Sequence, residues 1–244
     1  LNADFDFRDL DVLAVGPVVE GANHLFDAFW NDPNSIPIAG LKPKPDADTL
    51  LANGRDRLAS HRAKMASSHY AEAVRETAFV QQLRSRSVQW VFATGQVLGD
   101  SPDATRGKKH EDASPSLADQ LRETFFSAQR ELLVTSPYFV PQKKGTQRFC
   151  ELAASGTAVR ILTNSANATD MKVVHSGYSK YRKRLLESGV QLFELRRLSA
   201  VDEGKDEENK DDLAFGSANA ALHAKTFVVD EERVFIGSLN LDPR

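Results

Sequence analysis

The second half of this chain alternates short apolar segments with longer amphipathic ones, and this alternation restricts the fold more than any other feature. Short apolar runs predict buried strands, whereas apolar residues recurring every three or four positions predict helices. Gly156 and Gly189 stand where a glycine commonly ends a helix. The predicted order is strand 131–135, helix 145–155, strand 159–162, helix 171–188 and strand 191–194. This order predicts an α/β fold, with a mixed sheet flanked by helices.

The flanking segments extend this pattern toward the start of the chain. Ser114 and Pro115 are typical of an N-cap and a first helical turn, and predict a helix that runs to about residue 130. Further predicted elements are a strand at 11–15, a helix at 18–30, a helical run at 46–84 and a strand at 88–92. The proline-rich stretch 31–45 lies between the helix at 18–30 and the helical run at 46–84, and it predicts a boundary between two lobes.

Composition and charge exclude several classes of protein. The chain has 244 residues and no apolar run long enough to span a bilayer. Its single cysteine, Cys150, excludes an internal disulfide and a cysteine-based zinc site, and we expect it to be a small buried residue. A net charge of −3 argues against binding nucleic acid through a general positive field.

Charge is unevenly distributed along the chain. Residues 201–212 are strongly acidic, and we expect a solvated surface or loop there. Basic clusters occur at 143–144, 182–184 and 196–197. Clusters of this kind suit anionic lipid headgroups.

The most specific pattern lies at the end of the chain. The residues of the pattern HxKxxxxDxxxxxxGSxN are His223, Lys225, Asp230, Gly237, Ser238 and Asn240. In an extended strand, residues two apart share a face, so we expect the His223 and Lys225 side chains to lie side by side. A histidine exchanges protons near neutral pH, and an adjacent cation attracts a phosphate. The pattern therefore predicts a site that handles phosphodiesters.

This pattern resembles the HKD motif of the phospholipase D superfamily, whose members cleave or exchange phosphodiester bonds through a phosphohistidine intermediate. Residues 7–30, 135–141 and 174–195 are also similar to segments of bacterial cardiolipin synthases, particularly the cardiolipin synthase C group. Those relatives carry the motif twice, and the start of this chain resembles the stretch that follows their first motif. The resemblance implies three regions: residues 1–40 as the tail of a first lobe, 41–86 as a helical connector and 87–244 as the second lobe.

The resemblance also implies a role for each motif residue. His223 matches the histidine that acts as general acid and base, while Lys225 and Asn240 bind the phosphate with support from Ser238. Asp230 belongs to the catalytic set of the motif, but its negative charge would repel a phosphate. At a junction of strand and turn, we expect it to hold the hairpin through backbone hydrogen bonds.

Two further residues are candidates for substrate binding. Tyr138 lies in a predicted strand-end loop, where it either lines a substrate channel or packs in the core. His175, Tyr178 and Arg182 are spaced to share one face of a helix. This face is either a contact for a phospholipid headgroup or an ordinary polar surface.

The function implied by the resemblance is phosphatidyl transfer, which makes cardiolipin from phosphatidylglycerol and a second phospholipid. It implies neither metal nor cofactor. The expected partners are phospholipids at the cytoplasmic surface of a bacterial inner membrane, and a first lobe that carries the other motif. Two alternatives remain: a phosphodiesterase acting on phospholipid or nucleic acid, and a non-catalytic protein with half a site. A single motif paired across a twofold axis would also complete the site.

Overall fold

The computed structural model describes residues 7–41, 46–105, 115–169, 171–195 and 221–243. They belong to two compact units, one comprising residues 1–16 and 98–244 and the other residues 17–97. The elements are β1 (Phe7–Arg8), α1 (Val18–Trp30), α2 (Ile38–Leu41), α3 (Ala47–Ala66), α4 (His69–Glu76), α5 (Ala78–Ser85), α6 (Pro102–Thr105), α7 (Leu117–Phe126), β2 (Glu131–Thr135), α8 (Gln142–Ala154), β3 (Ala158–Asn164), α9 (Lys172–Glu187), β4 (Gln191–Leu195), β5 (Ala221–Leu222), β6 (Thr226–Val229) and β7 (Arg233–Ile236).

The larger unit contains a five-stranded sheet of order β4-β3-β2-β6-β7. Strands β2, β3 and β4 are parallel, whereas β6 is antiparallel to both of its neighbours. The predicted mixed sheet flanked by helices is therefore confirmed. The strand predicted at 131–135 is confirmed in its bounds, and Leu132 and Val134 on it point into the core.

Three helices cover one face of this sheet. Because α8 and α9 connect parallel strands in the same direction along the sheet, right-handed crossovers place both on one side. Phe149 of α8 packs edge-on against Phe125 of α7, with ring centroids 5.7 Å apart. Phe125 in turn contacts Phe227 of β6 at 4.9 Å. These buried rings join α7, α8 and the sheet into a single core.

The ends of the helices follow from local chemistry. Gly156 and Gly189 have φ angles of 95° and 92°, which confirms them as the left-handed residues that follow α8 and α9. Helix α7 differs from the prediction, since it begins at Leu117 and ends at Phe126. The Ser116 hydroxyl is its N-cap and accepts a hydrogen bond from the Asp119 N–H at 3.2 Å. Ser114 and the acidic run 201–212 lie outside the described residues.

Two predicted strands are wrong. Residues 11–15 and 88–92 belong to no helix or strand, and their apolar side chains are exposed, Phe92 to 95%. An apolar run becomes a strand only where a neighbouring strand accepts its backbone hydrogen bonds. Neither segment has such a neighbour in the described part of the chain.

The smaller unit is helical. Helix α1 has the predicted bounds, whereas the run predicted at 46–84 is divided into α3, α4 and α5. The division occurs where the Ser68 and Thr77 side chains accept hydrogen bonds from the N–H groups of Ala71 and Val80 and begin new helices. Within the described ranges, every helix is too short or too polar to cross a lipid bilayer.

Candidate active site

The motif histidine and lysine lie at the edge of the sheet where its parallel strands end. Thr226, the first residue of β6, is paired with Thr135, the last residue of β2. His223 and Lys225 precede Thr226 and therefore lie at the carboxyl edge of β2, β3 and β4, which is where ligands bind in such sheets. They belong to the connection between β5 and β6 rather than to a strand, contrary to the prediction.

His223 is held by a carboxylate from the start of the chain. Its Nδ1 atom is 2.5 Å from Oδ2 of Asp9. The contact follows from the parallel pairing of β1 with β5, because Arg8 is opposite Leu222 and the next residue on each side is Asp9 and His223. A carboxylate at Nδ1 fixes the ring and directs its chemistry to Nε2.

Asp9 is a site residue that the sequence analysis missed. Partial burial acts to raise its pKa, but hydrogen bonds from His223 and from the Leu10 N–H, together with nearby positive charge, hold the pKa below its usual range. Asp9 is therefore ionised at neutral pH. It lies within the segment 7–30 that supports the family resemblance, but it is 214 residues from His223.

Lys225 is a buried cation beside the histidine. It is 7% exposed, and its Nζ donates a hydrogen bond to the carbonyl oxygen of His223 at 2.5 Å. Burial lowers the pKa of Lys225, while the charge of Asp9 acts in the opposite direction. An ammonium in this position supplies fixed positive charge to an anion at the edge of the sheet.

The GSxN segment contacts the backbone of Lys225. The Gly237 N–H donates to the Lys225 carbonyl oxygen at 3.2 Å. A side chain at Gly237 would clash, since a Cβ there would lie 2.6 Å from the Phe235 ring. Beyond it, Ser238 is exposed, and the buried Oδ1 of Asn240 has no hydrogen-bond partner among the described residues. This oxygen can only accept a hydrogen bond, so an anion at this position would be bound by the Nδ2 donor of the same amide.

Asn164, which the sequence analysis also missed, holds the backbone just before the histidine. It is the last residue of β3 and is 4% exposed. Its Nδ2 donates to the carbonyl oxygen of Leu222 at 3.0 Å, and its Oδ1 accepts from the Leu222 N–H at 2.9 Å. These two bonds fix the backbone of the residue before His223.

Asp230 lies at the opposite end of β6 from Lys225. A four-residue strand separates them, which corresponds to roughly 15 Å. The Asp230 carboxylate accepts hydrogen bonds from the backbone N–H groups of Gln129, Arg130 and Glu131 at 2.8 to 3.2 Å. The bond from Arg130 is the main cause of a lowered Asp230 pKa. Asp230 therefore joins the hairpin to the start of β2 and does not reach the histidine.

Of the two residues predicted to bind substrate, His175 lines a small pocket together with Asn164, and Tyr138 lies in the loop after β2. Tyr138 is half-buried, and its carbonyl oxygen accepts a hydrogen bond from the Ser136 hydroxyl at 2.9 Å. The His175 ring is 5.6 Å from the ring of Tyr178, which is fully buried, so this face of α9 packs against the sheet. Burial is the main cause that raises the pKa of Tyr178, and the charge of Glu194 adds to it.

An apolar cavity of about 360 Å³ adjoins the site. Lys225 and Asn240 line it at the edge of the sheet, together with Arg122 of α7. The rest of its wall is predominantly apolar and includes Leu121, Phe125, Phe149, Phe227, Phe235 and Leu239. Tyr138 is not among the lining residues, whereas its neighbours Phe139 and Val140 are.

Together, these groups can hold an anion and exchange a proton beside it. The Asp9 carboxylate and the His223 imidazole form a pair suited to proton transfer, and the Lys225 ammonium and Asn240 amide are hydrogen-bond donors for negative oxygens. No group of side chains suited to hold a metal ion occurs in the described part of the chain. The fold and the site define an α/β domain that places a histidine and a buried lysine together at the carboxyl edge of its sheet.

Comparison with known proteins identifies the family. A family model described as "Cardiolipin synthase, PLD-like domain" matches residues 121–244, so the chain belongs to this family of the phospholipase D superfamily. Cardiolipin synthase C of Escherichia coli (strain K12) is 32% identical over 238 residues, covering 98% of this chain and 49% of the relative. The resemblance seen in the sequence is thereby confirmed.

More distant relatives support the same family. An uncharacterized protein of Helicobacter pylori (strain ATCC 700392 / 26695) is 27% identical over all of this chain and 46% of its own length. Cardiolipin synthase A of Buchnera aphidicola (subsp. Acyrthosiphon pisum, strain APS) is 27% identical over 62% of this chain and 25% of the relative. The chain spans about half the length of the first two relatives.

Proposed function

We propose that the protein containing this chain is a phosphatidyltransferase that makes cardiolipin from phosphatidylglycerol and a second phospholipid. The observation that carries this proposal is that Lys225 and Asn240 line an apolar cavity, while His223, two residues before Lys225, has Asp9 on its Nδ1. It is supported by membership of the cardiolipin synthase family.

In the proposed reaction, His223 is the general acid and base. A histidine of a first motif, outside this chain, attacks phosphorus and forms a phosphohistidine as the bond to the leaving alcohol breaks. Nε2 of His223 gives its proton to the leaving oxygen. It then takes the proton of the incoming hydroxyl, whose oxygen displaces the histidine. Both transfers balance, because His223 returns to its starting protonation state.

Each remaining site residue has a proposed role in this reaction. Lys225 and Asn240 bind the non-bridging oxygens of the phosphate, with Ser238 as a further contact. Tyr138 and His175 are proposed to contact the lipid outside the reacting centre. Asp9 positions His223, and Asp230 maintains the strand that follows Lys225. No metal or cofactor takes part.

A lipid substrate fits the surroundings of the site better than a nucleic acid does. Predominantly apolar side chains line the cavity next to Lys225, which suits an acyl chain or glycerol backbone and not a polyanion. The net charge of −3 points the same way. Within this reading, we propose a peripheral protein at the cytoplasmic side of a bacterial inner membrane.

We propose the division of the protein that the family resemblance implies, with Asp9 forming a contact between its first and last regions. Residues 1–40 would be the tail of a first lobe, 41–86 a helical connector and 87–244 the second lobe. A residue from the first region contacts the motif of the last one. In the structure, residues 1–16 form one compact unit with 98–244, which accounts for that contact.

Hydrolysis by the same intermediate is the second candidate function. The His223 side chain is 50% exposed, so water reaches the histidine in this chain. Water as the acceptor would give phosphatidic acid instead of cardiolipin. The product formed from phosphatidylglycerol therefore separates the two functions.

The deciding experiment measures the lipid products of the complete protein. We expect wild type to convert phosphatidylglycerol to cardiolipin, and His223→Ala to lose roughly 100-fold or more in rate, the contribution of a general acid. His24→Ala is the matched control, since His24 is an exposed residue of α1. Undiminished cardiolipin formation by His223→Ala would eliminate the proposed role, and phosphatidic acid as the sole product would favour the hydrolase.

A further inference from the structure

Three exposed lysines lie at the same edge of the sheet as His223 and Lys225. Helices α8 and α9 run antiparallel to the strands that they connect, so each begins at the carboxyl edge of the sheet. Lys143 and Lys144 are in the first turn of α8, and Lys172 is the first residue of α9. We call these three residues the lysine rim. None of them forms an ion pair with another described residue.

Local helix stability does not account for the lysine rim. A positive charge near a helix N-terminus opposes the helix dipole. Neither α8 nor α9 has a side-chain N-cap or an acidic residue in its first turn. Helix α7, by contrast, has both Ser116 and Asp119, and Asp119 is paired with Arg122 at 2.6 Å. The positive charge at this edge is thus left uncompensated by the helices that carry it.

Exposed apolar side chains flank one member of the rim. Val173 is 81% exposed and Met171 is 39% exposed, on either side of Lys172. Lysines interspersed with exposed apolar residues are typical of surfaces that meet lipid headgroups, where the apolar groups enter the interface. Because the net charge of the chain is −3, attraction to an anionic surface requires a local basic cluster of this kind.

We propose that the lysine rim, with Met171 and Val173, docks the protein on an anionic bilayer surface such as one rich in phosphatidylglycerol. Docking in this orientation turns the carboxyl edge of the sheet, with Lys225 and the cavity, toward the headgroups. This inference rests on the proposed function in one respect, because it identifies the bilayer surface that supplies the lipid substrate. The docking itself requires no turnover.

The test is binding of the protein to vesicles of phosphatidylcholine with and without phosphatidylglycerol. Replacing all three rim lysines by alanine should weaken binding to the anionic vesicles by about fivefold for each lysine, roughly 100-fold together. The matched control carries Lys180→Ala, Lys183→Ala and Arg184→Ala, which remove the same charge from exposed positions farther along α9. We expect the control to bind within about threefold of wild type, because these cations lie away from the docking edge.

Equal weakening by the two triple variants would overturn the proposal, since it would indicate general charge attraction. Unchanged binding by the rim variant would overturn it as well. Circular dichroism of both variants confirms that α8 and α9 are intact. His223→Ala should bind vesicles like wild type. If the wild-type complete protein binds through the rim but makes no cardiolipin, the proposed function is refuted and the docking surface is retained.

Discussion

Replacing Asp9 by asparagine tests whether the carboxylate on Nδ1 of His223 matters to catalysis. A hydrogen bond to a charged group contributes about 1.5–3 kcal/mol. The side chains of His223 and Asp9 are 50% and 41% exposed, so solvent screening places this bond near the lower limit, about 1.5 kcal/mol. At about 1.4 kcal/mol for each factor of ten, we expect kcat to fall at least about tenfold. An asparagine amide can also donate to Nδ1 and favour the wrong tautomer, which would enlarge the loss.

The assay is cardiolipin formation by the complete protein over a range of phosphatidylglycerol concentrations. Because Asp9 positions the histidine and does not touch the lipid in the proposed mechanism, kcat should fall while KM stays near the wild-type value. The control is Asp11→Asn, an exposed aspartate two residues away. A kcat equal to that of the control, or a loss confined to KM, would refute the positioning role.

Two further predictions concern the stability of the site. Hydrogen bonds lower the pKa of Asp230, so its stabilisation is present above the unfolded-state pKa and is lost as pH falls through the lower folded-state value. Asp230→Asn should therefore melt earlier than wild type at neutral pH and lose less on acidification, whereas Glu231→Gln should follow wild type in thermal melts. Asn164→Ala leaves two buried backbone groups of Leu222 without partners, which should lower the free energy of unfolding by about 2–4 kcal/mol in urea titrations. Exposed Asn167→Ala should change it little.

Much of the larger unit could be predicted from the sequence because its signals are local. Strand β2 is a short apolar run that follows a predicted helix, so its bounds could be predicted from the sequence. Gly156 and Gly189 ended their helices through their own backbone preference. The single helical run predicted at 46–84 is several helices because the Ser68 and Thr77 side chains act as N-caps and begin new helices within it.

The parts that could not be predicted depend on contacts between distant residues. The apolar run at 11–15 has the composition of a strand, but composition does not reveal whether a neighbouring strand exists. Asp9 and Asn164 reach His223 and Leu222 only through the pairing of β1 with β5 and the packing of β3. The motif indicated the site residues His223 and Lys225, whereas the residues that position His223 depend on strand pairing between distant parts of the chain.

The pairing of β1 with β5 makes the chemistry of His223 separable from the stability of the fold. Among the described residues, β1 and β5 are joined by two residue pairs, whereas the five-stranded sheet is joined by four longer ladders. The register of β1 on β5 thus determines the contact of Asp9 with His223, while the separate ladders of the five-stranded sheet determine the position of the strand that follows Lys225.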